Sequence, residues 1–233
     1  MYGWLMMVRK DFRLGLPWLW TGSLFIVCGH LSVAWLLEGQ EQLLATLYLL
    51  FSHLLFFGLY LILTLSAEAQ QLHQWLHVPR PAWQLLLSKI WCALLAATLT
   101  FVLSSLYPFS LLVDGIGWVT GLERFFTAYL HLTWFALRFG LILMLIFVLQ
   151  TVFSFGKGKD WILGLSLLLL ILFVPSVSSW ILPVGWGGWP DWVQLFEQGA
   201  ALPLSTLAIG GDGLLMGACF TASSWLLEKR TEV

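Results

Sequence analysis

The sequence predicts an all-α membrane protein with six transmembrane helices. Of its 233 residues, 60% are hydrophobic and only 10% are charged, and the mean hydropathy is +0.88. So little polar surface cannot cover a soluble domain of this size. Six apolar runs reach the length of about 20 residues that a hydrocarbon core requires. They are Pro17 to Leu37, Gln42 to Ser66, Leu85 to Val113, Phe125 to Phe153, Trp161 to Leu182 and Leu204 to Leu227.

Basic residues mark alternate junctions between these runs. Nine of the 11 Lys and Arg residues follow this pattern, at positions 9, 10, 13, 80, 89, 157, 159, 229 and 230. The opposite junctions are acidic, with Arg124 as a cation among them. Cationic flanks stay on the cytoplasmic side. We therefore expect a multi-pass protein of the cell membrane with both termini in the cytoplasm.

The first 16 residues carry a helical pattern of their own. Leu5, Val8 and Phe12 recur on one helical face, and the three cations of the segment can reach lipid headgroups. This pattern predicts an amphipathic elbow helix over residues 1–16 that lies in the plane of the membrane.

Residues 67–78 have the pattern of a short amphipathic helix at the cytoplasmic surface. Leu72, Trp75 and Leu76 form a narrow apolar stripe, the glutamines around them make the other face polar, and two prolines end the segment. A simple connector between spans would need neither the stripe nor the prolines. The pattern therefore predicts a short amphipathic helix that is held at the cytoplasmic surface of the membrane.

Together these features resemble the permeases of ABC-2 type transporters. The resemblance rests on the basic elbow V-R-K-D-F, a Glu at the inner end of span two, and W-L-H-V-P-R-P leading to a Lys at the start of span three. Span count, orientation and loop lengths are similar over the whole chain. Such subunits have six spans and no ATPase, and they pair into a twelve-span pore on two separate ATP-binding subunits.

The resemblance implies a single permease domain, 1–233, that exports a peptide, lipid or hydrophobic drug by alternating access. It implies no enzyme activity or cofactor in this chain, with ATP and Mg held by partner ATPase subunits. The other expected partners are a second permease copy or a sister permease, and membrane lipids, but no nucleic acid. Residues 67–78 would be the coupling helix, and an outer re-entrant segment (182–203) would hold a cap of Trp186, Trp189 and Trp192. The residues expected to couple the chain to the ATPase are Glu68, Leu72, Trp75, Leu76, His77, Arg80 and Lys89.

Polar residues inside the apolar runs are functional candidates because they are costly in a membrane. His131, Trp134 and Arg138 share one face of span four, and His53 and Tyr60 share one face of span two. These five residues are expected to line a translocation path or a dimer interface, or to satisfy one another in a packed bundle. We expect no Asp or Glu at mid-depth, so that the Arg138 charge would meet backbone carbonyls, water, an anionic lipid or an anionic substrate group.

Two other classes of function remain open. The spacing H-Q-W-L-H places two histidines on one helix face, but Gln74 stands where a zinc protease needs its general base. An intramembrane haem-binding or metal-binding protein or enzyme that uses membrane histidines is one alternative. A secondary transporter is the other, although the two halves show no convincing repeat.

Overall fold

A computed structural model describes residues 2–69, 81–153 and 206–231 of the chain. These ranges contain helices and no strand, so the predicted all-α class is confirmed for the described part. The helices are α1 (Tyr2–Leu36), α2 (Gly39–Phe51), α3 (His53–Ala69), α4 (Ala82–Ile116), α5 (Trp118–Phe153) and α6 (Thr206–Thr231).

Four helical stretches are long and apolar enough to cross a membrane. They are Trp4–Leu36, Tyr48–Glu68, Ala82–Ser110 and Trp118–Val152, and they overlap the first four predicted runs. The sixth run forms α6, which is not among these four. The fifth run, residues 70–80 of the predicted coupling region and the outer segment 182–203 lie outside the described residues. The count of six spans therefore stays a prediction.

The predicted elbow is continuous with the first span. α1 runs from Tyr2 to Leu36 as one helix with Pro17 inside it, so residues 2–16 are helical as predicted. Their position in the membrane plane stays a prediction, because the structure has no separate elbow helix there.

α4 and α5 are joined by a single residue. Gly117 has a φ of +82°, a conformation that side chains with a Cβ rarely adopt, and its carbonyl accepts a hydrogen bond from the Gly121 N–H at 3.0 Å. Both helices extend beyond their apolar runs to reach this turn. At 35 and 36 residues they are about 50 Å long.

α4 is the central helix of the described part and packs against all five others. Its buried face is made of small side chains at successive turns, with Ala93, Ala96, Thr100 and Ser104 all fully buried. Small residues let helix backbones approach closely, as they do in membrane bundles.

The packing of α3 against α5 depends on a glycine. Gly140 lies against the ring of Phe57, which is 0% exposed, and a Cβ added at Gly140 would overlap that ring. Leu61 and Met144 continue the same apolar core, and both are also 0% exposed.

The outer faces of the bundle are apolar. Phe25, Trp35 and Val119 are 67%, 89% and 82% exposed, and many other large apolar side chains are exposed to a lesser extent. A surface of this kind would associate in water. It fits helices whose outer faces contact lipid.

We expect Gly140→Ala to destabilise the bundle, because the new methyl group must displace a fully buried ring. Overpacking of this kind costs about 1–3 kcal/mol of the free energy of unfolding. The measurement is unfolding of the purified chain by a denaturing detergent, followed by circular dichroism.

The matched control is Gly211→Ala. A Cβ at Gly211 has no atom within 4 Å, and Ala is the better helix former. Equal effects of the two substitutions would contradict the assigned packing of α3 on α5.

Candidate functional site: a buried charge cluster

Four charged side chains from three helices meet at one end of the bundle. Lys10 and Asp11 come from the first turns of α1, Glu68 from the last turn of α3, and Lys89 from the second turn of α4. We call these four residues the charge cluster. Buried apolar residues of α4 lie on both sides of Lys89 in the sequence, with Leu86 before it and Ile90 after it, so the cluster is enclosed by apolar packing.

Each carboxylate of the cluster contacts both ammonium groups. The Glu68 carboxylate lies 2.6 Å from Nζ of Lys10 and 2.8 Å from Nζ of Lys89. Asp11 Oδ1 lies 3.4 Å from Nζ of Lys89 and 3.7 Å from Nζ of Lys10. The hydroxyl of Ser88 donates a hydrogen bond to the other oxygen of Asp11. The four formal charges of the cluster sum to zero.

Most of the cluster is withdrawn from solvent. The side chains of Lys89, Asp11 and Glu68 are 1%, 3% and 8% exposed, whereas that of Lys10 is 58% exposed. Charges buried to this degree persist only when opposite charges and hydrogen bonds replace their hydration. The cluster therefore fixes the relative positions of α1, α3 and α4.

Sequence reasoning identified two members of the cluster. Glu68 and Lys89 were named through the family resemblance, and the structure brings them together, while their role in coupling to an ATPase stays a prediction. Asp11 was missed because it stands among three cations that were interpreted as orientation signals. Its position three residues after Val8, beside Phe12 on the inward face of α1, was the signal that could have identified it.

A second ion pair joins α5 and α6. Nη1 of Arg138 lies 2.7 Å from Oδ1 of Asp212, and the indole N–H of Trp134 donates to Oδ2 of the same carboxylate at 3.3 Å. The two charged side chains are 18% and 17% exposed. Trp134 and Arg138 are one turn apart on α5, so both reach the same carboxylate.

The expectation that Arg138 has no acidic partner within the apolar runs is wrong. Asp212 lies inside the sixth run, in the glycine-rich stretch G-G-D-G near the start of α6. It was missed because the run was assessed as a whole. Because the carboxylate of Asp212 balances the charge of Arg138, an anionic substrate group is not needed for that purpose.

The other predicted path residues have separate surroundings. His131 donates from Nδ1 to the carbonyl of Thr127 at 2.7 Å, because a carbonyl can only accept. Tyr60 is 1% exposed and lies against Gly15 of α1, away from the α5–α6 pair. His53 begins α3, and its side chain lies outside what the structure describes, so a common path is not established.

A third polar contact lies toward the other end of α4. Nε2 of His30 is 2.9 Å from the hydroxyl of Ser104, and the Gln42 amide donates to the Tyr107 hydroxyl at 2.7 Å. These contacts join α1 and α2 to α4. Within the described ranges, no three His, Cys, Asp or Glu side chains come together as metal ligands would.

Comparisons with protein-family models, with curated proteins and with solved structures find no match to this chain.

We expect Lys89→Met to destabilise the chain far more than Lys10→Met. Loss of Lys89 leaves two buried carboxylates with only the exposed Lys10 between them, and breaking a buried pair in this way costs about 3–5 kcal/mol. Loss of the mostly exposed Lys10 should cost about 1 kcal/mol or less. The readout is the free energy of unfolding in denaturing detergent, and similar values for the two variants would refute the assigned burial of Lys89.

Arg138 and Asp212 should be energetically coupled. Arg138→Leu and Asp212→Leu each leave one charge uncompensated, whereas the double substitution removes both charges. The double variant should therefore lose at least about 1 kcal/mol less stability than the sum of the single variants.

The control for this pair is Asp212→Leu combined with Lys229→Met, since Lys229 is exposed near the far end of α6. These two effects should add. Additive effects of Arg138→Leu and Asp212→Leu as well would show that the pair does not form.

Proposed function

We propose that this chain is the membrane-spanning permease subunit of an ATP-driven exporter of the ABC-2 type. A peptide, a lipid or a hydrophobic drug would leave the cytoplasm through it by alternating access. ATP and Mg would be bound by separate ATPase subunits, and the permease would work with a second copy or a sister permease.

The charge cluster is the observation that carries this proposal. Glu68 and Lys89 flank residues 70–80, one before and one after, and both side chains pair with the first turns of α1. The helices that lead into and out of this segment are therefore tied to each other and to a third helix. A simple surface loop does not require buried ion pairs at both of its ends, whereas a segment that receives force from a partner does.

The sequence of residues 70–80 supports the proposal that this segment binds a protein partner. In a helix, Leu72, Trp75 and Leu76 would form an apolar stripe, and His77 and Arg80 would add polar and basic groups. A short amphipathic helix is a common means of docking into a groove of another protein. In the proposed arrangement the coupling helix binds the ATPase at the cytoplasmic surface.

In the proposed mechanism, ATP-driven closure of the ATPase pair is transmitted through the charge cluster. Movement of the coupling helix would carry the adjoining ends of α3, α4 and α1 together, because the buried ion pairs resist separation. A ligand or partner shifts a conformational equilibrium only by its differential affinity for the two states. Because the docking segment adjoins the ion pairs of three helices, binding of the ATPase would favour one arrangement of these helices over another.

We expect Trp75→Ala to weaken binding of the ATPase while the permease still inserts. Loss of a buried aromatic anchor at an interface reduces affinity by about 30-fold or more. The experiment first searches the neighbouring reading frames for a Walker-A ATPase and then co-expresses this chain with it. Co-purification and ATP hydrolysis by the complex are then measured.

Gln71→Ala is the matched control, because it alters the polar face of the same predicted helix. Unchanged binding, ATP hydrolysis and export with Trp75→Ala would refute the coupling role. A chain that binds no ATPase but purifies with a visible haem band or stoichiometric zinc would instead favour the histidine-based alternative.

A further inference from the structure

Two of the three cations at the start of α1 remain outside the charge cluster. Lys10 turns toward Glu68, whereas Arg9 and Arg13 are exposed. Within the described part of the chain, the ion pairs involve Lys10, Lys89 and Arg138. The surface beside the cluster therefore carries two guanidinium groups that make no ion pair with a carboxylate of the described residues.

These arginines share one face of α1 with exposed apolar side chains. At 100° per residue, Arg9, Arg13 and Trp20 lie within about 40° of one another around the helix axis. Asp11 lies on the opposite side and is buried. Leu5 before the arginines is 60% exposed, and Trp20 after them is 71% exposed.

The polarity of this face changes along the helix, from cationic side chains to apolar ones. Arg9 and Arg13 are about 6 Å apart along the axis, and Trp20 follows about 10 Å further on. Leu24, Leu31 and Trp35 continue the same exposed side to the far end of the helix, at 65%, 57% and 89% exposure. Two cations are thus followed by an indole and then by an apolar surface about 17 Å long.

We propose that Arg9, Arg13 and Trp20 form a binding site for one anionic phospholipid. The two guanidinium groups contact the phosphate, because their planar donors match phosphate oxygens. The Trp20 ring packs against the glycerol and upper acyl region, where amphipathic rings are most stable. The lower acyl chain lies along Leu24.

The depth of Trp20 favours a lipid over an acidic protein. An acidic partner at the membrane surface reaches the arginines but leaves an indole about 10 Å deeper uncovered. A phospholipid covers both, since its charge and its apolar chains are separated in the same order as the side chains on α1. The proposal rests on the proposed membrane location and not on the proposed transport activity.

The test uses the full chain alone, purified and placed in nanodiscs. Spin-labelled phosphatidylglycerol and phosphatidylcholine are the probes, and the immobilised fraction of each gives its relative affinity. We expect wild type to prefer the anionic lipid. Arg9→Gln and Arg13→Gln should each reduce this preference about fivefold, and the double variant about 30-fold.

Lys229→Gln is the control, because Lys229 is an exposed cation of α6, a different helix from the one that carries the proposed site, and lies 4.8 Å from the Trp225 ring. It should leave the preference unchanged. An unchanged preference in the double arginine variant overturns the proposal, and so does an equal loss in Lys229→Gln. Displacement of the lipid by equimolar inorganic phosphate overturns it too, since that result would indicate a simple anion site.

A second measurement on wild type keeps the proposal testable if the double variant fails to insert. A photoreactive phosphatidylglycerol is crosslinked to the intact chain, and the adducts are mapped by mass spectrometry. Adducts on residues 5–24 support the site, and adducts confined to other helices overturn it. Because no ATPase is present, failure here is distinct from failure of the export proposal.

Discussion

The buried ammonium group of Lys89 is the constraint on which the arrangement of α1, α3 and α4 depends. Its side chain is 1% exposed, so the energy lost with its hydration must be recovered from carboxylates that are themselves buried. Glu68 and Asp11 meet this requirement only if the last turn of α3 and the first turns of α1 reach the same point. A single charged residue on the central helix thereby requires parts of two other helices to meet at one point.

The contacts of α4 change in chemical kind along its length. Near its start the helix is held by ion pairs, and beyond them by close apolar packing at Ala93 and Ala96. Further on it is held by hydrogen bonds between His30 and Ser104 and between Gln42 and Tyr107. Apolar packing alone is weakly directional. The polar contacts on either side of it specify which rotation and which axial position the neighbouring helices adopt.

Sequence reasoning predicted the helical runs well because apolar length and flanking charge are local properties. It failed where the decisive property was which face of a helix a residue occupies. Asp11 is hidden in the sequence by its three basic neighbours, and only the inward position of its side chain distinguishes it. Asp212 is obscured by surrounding glycines and an apolar run. Near Gly117 the helices also extend beyond the predicted apolar runs, because helices can include polar residues such as Glu123 and Arg124.

The one-residue connection at Gly117 has a mechanical consequence for the two longest helices. With a single residue between Ile116 and Trp118, the adjoining ends of α4 and α5 cannot slide past one another or separate by more than a few ångströms. Any change of angle between these helices must pivot at this end and reach its largest amplitude about 50 Å away. That distant end of α4 carries Lys89. A small rotation at the glycine therefore becomes a large displacement where the ion pairs are made.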